Sequence, residues 1–542
     1  MTATAWHFGD LMDLTARTID PATPALVHDG AVTDWASFDR RSNALARALL
    51  DGGLVPGDKV AFYHRNGTAY PELLAACFKA RLVHVNVNYR YRDTELAHVI
   101  ANSDAAAVSF DADFAATCDR VRDRLPAVRL WLQKGGTARP WAQDFDRLAG
   151  GDGTPLDPGR DGHDDTLMVY TGGTTGMPKG VVWTHHALRS QQIAAFSRLA
   201  PVPDDTDDHA RLIRERQAPT PFFPACPWMH GTGLSTALNA LVMGEPVVTV
   251  SNDRGFDPVA HWRAVGESGV RHMAIVGDAF ARPLVEALES GSADVADARA
   301  LAVLLSSGAM LTAEIKERLL ALLPNLVIAD IFGSSETMGF GVALSQKGAV
   351  NATATLSPVE GCRVIREDGT PVPPGSDEMG LIAHGGTIGS GYYKDREKTE
   401  ATYRMIDGER LCIPGDWAMV AADGTITLLG RGSGCINTGG EKVFPEEVEE
   451  CLKRADGVAD ALVFGVDDPR WGSRVTAVVE GTGLDPERLI AHVHDTLAPY
   501  KAPKAVYLVD QVPRGPNGKA DYKAARAMAT ERDRRAREGA RP

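Results

Sequence analysis

The segment YTGGTTGMPKG, residues 170–180, concentrates groups that could handle a phosphate. Glycine lets backbone approach a polyphosphate closely, backbone N–H groups and threonine hydroxyls donate to its oxygens, and Lys179 adds a point charge. The preceding Thr166 to Val169 reads as a strand, which would put the loop at a strand end. It is not a Walker A loop: glycine follows the lysine where Ser or Thr should stand, and the G-x-x-x-x-G-K spacing is missing. Alone, a Gly/Thr-rich stretch is equally the composition of a flexible connection. The lysine and the strand are what favour phosphate.

Elsewhere the chain carries His230 in PWMHGTG, Glu336 in IFGSSET, Asp416 in PGDWA, Arg431 at the end of DGTITLLGR and Lys519 in PRGPNGK, and nothing local marks any of them as functional. Singly, each has a plainer reading, since a lone histidine is more often structural and a charged loop residue is most often solvated. Their use depends on elements that would gather them. Strand-like and helix-like stretches alternate through most of the chain, the pattern of an α/β fold. Trp35 to Leu50 places Phe38, Ser42, Leu45 and Leu49 on one helical face and stops at Gly52-Gly53. Val247 to Val250, His272 to Val276, Leu301 to Leu305 and Leu326 to Ile331 are short apolar runs, each followed by small or polar residues and a helical stretch. In that rhythm, sites collect at strand C-terminal ends. Near residue 430 a strand gives way to a loop poor in apolar residues and then to a helix after Pro445. The remainder suffices for a small α+β domain. Residues 202–218 read as a polar surface excursion and the charged C-terminal tail as frayed.

The chain has 542 residues, 44% hydrophobic and 24% charged, enough for two or three structural units. A formal net charge of -14 argues against a nucleic-acid partner, because backbone-phosphate binding needs a concentrated basic face. Seven scattered cysteines without CxxC spacing read as reduced thiols, neither a disulfide framework nor a zinc site. The first residues lack a basic-then-apolar pattern, and no apolar run approaches ~18 residues. A cytoplasmic protein without integral membrane association is expected.

In chain order, YTGGTTGMPKG, PWMHGTG (Pro227 to Gly233), SSGA (Ser306 to Ala309), IFGSSET (Ile331 to Thr337), PGDWA with DGTITLLGR (Pro414 to Arg431), GGEKVFPEEVE (Gly439 to Glu449) and PRGPNGK (Pro513 to Lys519) closely match the signatures of the adenylate-forming superfamily. That superfamily includes acyl-CoA synthetases, peptide-synthetase adenylation domains and luciferases, and the resemblance covers essentially the whole chain. It implies an α/β fold with a large N-terminal domain, residues 1–430, of stacked αβ subdomains plus a β-barrel-like subdomain. A hinge at 431–435 and a small mobile α+β C-terminal domain, 436–542, would follow. The implied enzyme is an acid–thiol ligase: carboxylate and ATP give acyl-AMP and pyrophosphate, then coenzyme A gives acyl-CoA and AMP.

Site residues follow from the same resemblance. Lys519 would bridge the α-phosphate and the incoming carboxylate, where an anion must meet an anion. Glu336 would hold Mg2+. Thr171, Gly172, Gly173, Thr174, Thr175, Gly176 and Lys179 would cradle the phosphates, with Thr175 also among the catalytic groups. Ser307, Gly308, Ala309, Asp330, Ile331, Phe332, Gly333, Ser334 and Ser335 would surround the nucleotide, Asp416 would accept both ribose hydroxyls, and Arg431 would lie beside them. Ser335 stands where threonine is usual and keeps the hydroxyl; Phe332 stands where an adenine-stacking tyrosine is common and keeps only the ring. Gly439, Gly440 and Glu441 would line the pantetheine tunnel, and Gly434 replaces the aspartate common near the pivot. His230, also among the catalytic groups, would sit between the carboxylate and thiol pockets. His230, Gly231, Gly277, Gly308 and Gly339 would line the acyl pocket, although the same glycines could simply make turns.

GDAFARPLVEAL (Gly277 to Leu288), IGSGYYKDREKTEATYRMIDGER, GRGSGCINTGGEKVFPEEVE and GKADYKAAR resemble, more narrowly, actinobacterial CoA ligases for steroid side-chain carboxylates and long-chain acyl-CoA synthetases. A bulky apolar acid is the expected substrate, with a medium- or long-chain fatty acid, or an acceptor other than CoA, as alternatives. A non-catalytic nucleotide or acyl sensor would not need Lys519 together with Glu336, Asp416 and Arg431. Homo-oligomerisation is left open.

Overall fold

A computed structural model of the protein describes residues 6–157, 165–171, 177–197, 201–203, 205–253, 255–431, 434, 436–438, 441–468, 472–497, 499–515 and 518–539; for residues 196, 431, 437, 441, 442, 472 and 533–539 the backbone alone is described. Contacts divide the chain into two compact units, Met1–Asn351 with His384–Cys412, and Ala352–Ala383 with Ile413–Pro542. The architecture is mixed α/β with a larger first unit, as expected.

In the first unit, one sheet places Pro24–His28, Val247–Thr249, Phe222–Pro224, His272–Ile275, Val303–Ser307 and Val327–Phe332 side by side, all parallel, with Gly341–Ser345 antiparallel at the end. A second sheet orders Gly391–Tyr392, Lys179–Thr184, Thr166–Thr171, Val83–Asn86, Lys59–Tyr63 and Ala105–Asp111. Strands covered on both faces are continuously apolar, which is why these runs do not alternate. Helix Ala69–Lys79 is buried along its whole length. Helix Phe8–Thr18 crosses it at Gly9, where a Cβ would come 2.5 Å from the Phe78 carbonyl oxygen.

The expected helix runs Trp35–Asp51 with Phe38, Ser42, Leu45 and Leu49 buried, and the Asp34 carboxylate accepts the Ser37 N–H at 2.7 Å as its N-cap. The strand expected from Leu301 begins two residues later, at Val303, because Leu301 N–H still closes a turn onto the Ala298 carbonyl. Residues 202–218 are not a surface excursion. Thr206–Glu215 is a helix packed on Phe8–Thr18 through buried His209, Ala210 and Ile213, a narrow stripe that the polar composition concealed. Helix Tyr522–Gly539 has Ala525 and Ala529 buried in its first half, and its backbone runs on into the charged tail, of which residues 540–542 lie outside the described residues.

In the second unit, Thr355–Pro358, Ile426–Arg431 and Asp416–Val420 form antiparallel neighbours. A five-stranded sheet orders Glu441–Val443, Ile436–Thr438, Gly472–Gly481 and Val458–Asp468, with Ala505–Val509 parallel to Gly472–Gly481. Helix Pro445–Lys453 starts on its proline, whose missing N–H costs nothing at that position. No helix among the described residues is long and apolar enough to cross a membrane.

Candidate active site

Four adjacent parallel strands of the first unit deliver many of the expected groups to one sheet end. His230 follows Phe222–Pro224, Gly277 follows His272–Ile275, Ser307 to Ala309 end Val303–Ser307, and Phe332 to Glu336 follow Val327–Phe332. Register fixes the alignment: Ile275 lies opposite Ser306, and Ser307 opposite Ile331. The connections are tight. Gly277 has φ +50°, and a Cβ there would meet the Met310 carbonyl oxygen at 2.3 Å; its N–H donates to Ser306 Oγ at 3.1 Å. A Cβ on Gly333 would meet the Met338 carbonyl oxygen at 2.4 Å, so the turn carrying Glu336 closes only around glycine. By contrast, Cβ atoms on Gly231 and Gly308 would meet nothing nearer than 3.6 Å, and one on Gly339 nothing within 4 Å, so space remains beside these three.

The Glu336 turn is held from the second sheet. Trp183 Nε1–H donates to the Ser335 carbonyl at 2.8 Å, the Gly389 N–H donates to the Glu336 carbonyl at 2.9 Å, and the Tyr392 hydroxyl donates to Glu336 Oε1 at 2.5 Å. Glu336 is only 6% exposed, which makes a fixed donor on its carboxylate consequential. Burial and the Glu336 charge both raise the Tyr392 hydroxyl pKa, so that hydroxyl remains a donor. Asn86 ties the phosphate strand to the His230 loop: its Oδ1 accepts the Tyr170 N–H at 2.5 Å, and its Nδ2 donates to the carbonyls of Tyr170 at 3.0 Å and Met229 at 2.5 Å. His230 itself caps helix Gly231–Val242 in an extended conformation.

Lys179, opposite Thr171 in the hairpin, is 40% exposed along its side chain and donates to Asp395 Oδ2 at 2.6 Å. Gly172, Gly173, Thr174, Thr175 and Gly176 lie outside the described residues, as do Gly439 and Gly440. Phe332 stacks one face on buried Phe340, ring centroids 5.4 Å apart. Asp330 is half-buried, its side chain 18% exposed, with Lys316 Nζ 3.9 Å away; burial pushes its carboxyl up to about 7. Among the described residues, no group of three or more His, Cys, Asp or Glu could hold a metal ion.

In the second unit, Asp416 lies opposite Arg431 in an antiparallel pair and is 6% exposed, while Thr438 pairs with Glu441. Lys519 is exposed, in a short hairpin closed by an Arg514–Ala520 bridge. Sequence reasoning missed Asn86, Tyr392, Asp395 and Arg514. Tyr392 and Asp395 lie within IGSGYYKDREKT, which had served only to mark a subfamily; nothing local to Asn86 signals its bridging role.

An α/β frame that gathers glycine turns and a buried carboxylate at the ends of parallel strands has the arrangement in which open α/β sheets bind ligands. The profile of the AMP-binding enzyme family matches residues 16–393 and that of the AMP-binding enzyme C-terminal domain residues 447–519. The 3-oxocholest-4-en-26-oate–CoA ligase of Rhodococcus rhodochrous is 38% identical over 537 residues, 95% of each chain. A medium/long-chain-fatty-acid–CoA/3-oxocholest-4-en-26-oate–CoA ligase of Mycobacterium marinum is 38% identical over 549 residues, 96% of this chain and 97% of that one. The crystal structure of ATP-bound MatB from Rhodopseudomonas palustris shares the fold, with TM-score 0.80 and 24% identity over 95% of this chain and 98% of that one. The chain belongs to the AMP-binding enzyme family. It is an ATP-dependent acyl-CoA synthetase, an AMP-forming acid–thiol ligase that works through an acyl adenylate.

Proposed function

We propose that this synthetase activates a bulky apolar acid of the steroid side-chain type. The observation that carries the reading is the 38% identity, along essentially the whole chain, to ligases named for 3-oxocholest-4-en-26-oate. Room beside Gly231, Gly308 and Gly339 at the sheet end is consistent with a wide acid. A medium- or long-chain fatty acid is the second reading, favoured by the double name of the Mycobacterium marinum relative.

In this reading Lys179 and the loop from Thr171 to Gly176 hold the polyphosphate, Phe332 offers adenine the face that Phe340 leaves uncovered, and Asp416 and Arg431 serve the ribose. Glu336 fits Mg2+: a hard cation that binds through one protein carboxylate, phosphate oxygens and water needs no larger protein cluster. When bound, that ion neutralises charge on the polyphosphate. Lys519 neutralises the meeting of carboxylate and α-phosphate in the adenylation step, where opposing charge is worth most. The small domain beyond a hinge at 431–435 then withdraws Lys519, and Gly439, Gly440 and Glu441 line the path of the thiol, with His230 beside the acyl carbonyl. A cytoplasmic location is part of the proposal, in keeping with the free thiols among the described cysteines.

The test is a panel of short fatty, long fatty, aryl and steroid side-chain acids, scored by CoA-dependent AMP release and mass spectrometry of the thioester. Steroid side-chain acids are expected to give the highest kcat/KM. Preferred turnover of aryl or short acids would sink the substrate assignment.

A further inference from the structure

A lysine reaches its target on four flexible methylene groups, so the position of its backbone limits where the Lys519 ammonium can go. That backbone is fastened along the hairpin. The Gly515 N–H donates to the Lys519 carbonyl at 2.7 Å, the Gly518 N–H to the Gly515 carbonyl at 2.9 Å, and the Asp521 N–H to the Pro513 carbonyl at 3.0 Å. The Arg514 side chain then ties the hairpin to the sheet. Its Nη1 donates at 3.0 Å to the Gly518 carbonyl, part of the peptide leading into Lys519, while Nε and Nη2 donate to the two carboxylate oxygens of Asp460 at 2.5 and 2.7 Å.

Asp460 is a fixed anchor. It lies in strand Val458–Asp468, opposite Glu480 of the neighbouring strand, and Glu480 accepts the Val512 N–H at 2.8 Å. Lys453 Nζ adds a second cation 3.5 Å from Asp460. Burial alone would raise the Asp460 carboxyl, but the Arg514 bonds and Lys453 outweigh it and hold it below its ordinary value. Arg514 and Asp460 side chains are 28% and 21% exposed, so this two-point fork is better shielded than a surface ion pair. Only a planar guanidinium can grip a carboxylate at two points and still reach a third acceptor.

We propose that Arg514 is a positioning residue for adenylation: by joining the Gly518–Lys519 peptide to Asp460, it fixes where the Lys519 ammonium is presented. The proposal rests on the reading of Lys519 as the adenylation lysine. A misplacement of about 1 Å can cost on the order of a hundredfold in rate, so loss of the clamp should be felt in that step. Thioester formation from a finished adenylate does not call on Lys519 and serves as the internal control.

The experiment measures two half-reactions on the full chain: acid-dependent ATP–pyrophosphate exchange, and thioester formation from supplied acyl-adenylate and CoA. Dodecanoate is the probe unless the acid panel supplies a better one. The variants are Arg514→Gln, Arg514→Lys, Asp460→Asn and Lys519→Ala, each with its melting temperature. We expect Arg514→Gln to lower exchange about 10- to 100-fold and Asp460→Asn somewhat less, with Arg514→Lys partly restoring it. Thioester formation should stay within about twofold of the parent, because the reacting groups of that step are untouched. If Lys519→Ala abolishes exchange while Arg514→Gln runs at the parental rate, the proposal is overturned. It is equally overturned if both half-reactions fall together in Arg514→Gln and Asp460→Asn with a lowered melting temperature. If Lys519→Ala itself leaves exchange intact, the underlying reading of Lys519 fails, whatever Arg514 does.

Discussion

Glu336 and Lys519 are the two charged groups on which the proposed chemistry leans most, and the protein holds them in opposite ways. Glu336 is buried, and a phenol hydroxyl sits directly on its carboxylate, while Trp183 and the Gly389 N–H fasten the peptide groups on either side. Lys519 is exposed, and its hairpin is clamped through Arg514 on the neighbouring carbonyl. A carboxylate that fixes a cation needs its oxygens aimed before substrate arrives, so the restraint is on the functional group. A lysine that, in the proposed cycle, arrives for one step and withdraws for the next is served by a fixed origin, and the restraint is on its backbone.

Removing the charge at Glu336 strikes one side of this contrast with the largest expected effect. Glu336→Gln should lower adenylation by about a hundredfold or more, as expected when a charge-stabilising group is lost. Tyr392→Phe keeps that charge and removes only the aim, and should cost about 10-fold, within the range for a group supporting a metal ligand. The informative measurement is Mg2+ titration of ATP–pyrophosphate exchange in both variants. Tyr392→Phe should need more Mg2+ for half-maximal rate; an unchanged Mg2+ dependence would show that the hydroxyl serves packing alone.

The contrast also marks what the sequence makes legible. The βα rhythm was readable because parallel strands covered on both faces are short apolar runs, and the helix Trp35–Asp51 because its apolar spacing and glycine stop are local. The proposed site groups follow from a resemblance rather than from local spacing, and at two of their turns the structure gives a physical reason for the residue: a Cβ on Gly277 or Gly333 would meet a backbone oxygen. The restraints were not legible. Tyr392 lies 56 residues from Glu336 and Asp460 lies 54 from Arg514, so neither partnership leaves a spacing. The helix Thr206–Glu215 was hidden because three buried positions among charged neighbours form too narrow a stripe to stand out from a polar loop.

Lys179 stands between the two cases: its side chain is 40% exposed, yet a carboxylate holds it directly, as a hydroxyl holds Glu336. Asp395 accepts its ammonium at 2.6 Å and also caps helix Arg396–Thr402 through the Lys398 N–H. A phosphate arriving at Lys179 must compete with that carboxylate. Asp395→Ser keeps a capping oxygen and removes the charge, which isolates the competition. The KM for ATP should fall about threefold, the scale of an exposed ion pair, with kcat unchanged. A higher KM would show instead that Asp395 aims Lys179, placing it with the directly held groups.

Asp330 is the smallest test and the sharpest control on Glu336, because it is a second carboxyl from the same strand and turn. Its nearest cation, Lys316 Nζ, is 3.9 Å away. Burial pushes its carboxyl from 3.8 up to about 7, opposed by Lys316 and reinforced by Asp278. Between those values the native protein holds a proton that the unfolded chain has released. Its contribution is therefore fully present below 3.8 and is lost as pH rises toward about 7, with a limiting slope of about 1.4 kcal/mol per pH unit. Asp330→Asn cannot ionise and lacks this loss. Measured by urea midpoint, it should match the parent near pH 4 and become progressively more stable than the parent as pH rises to 8. The attraction of Lys316 is already within the balance that leaves the carboxyl raised. Should Asp330→Asn be the less stable protein at pH 8, Asp330 and Lys316 would form a net favourable ion pair, and Asp330 would resemble Glu336 in being a carboxyl held by a specific side-chain partner.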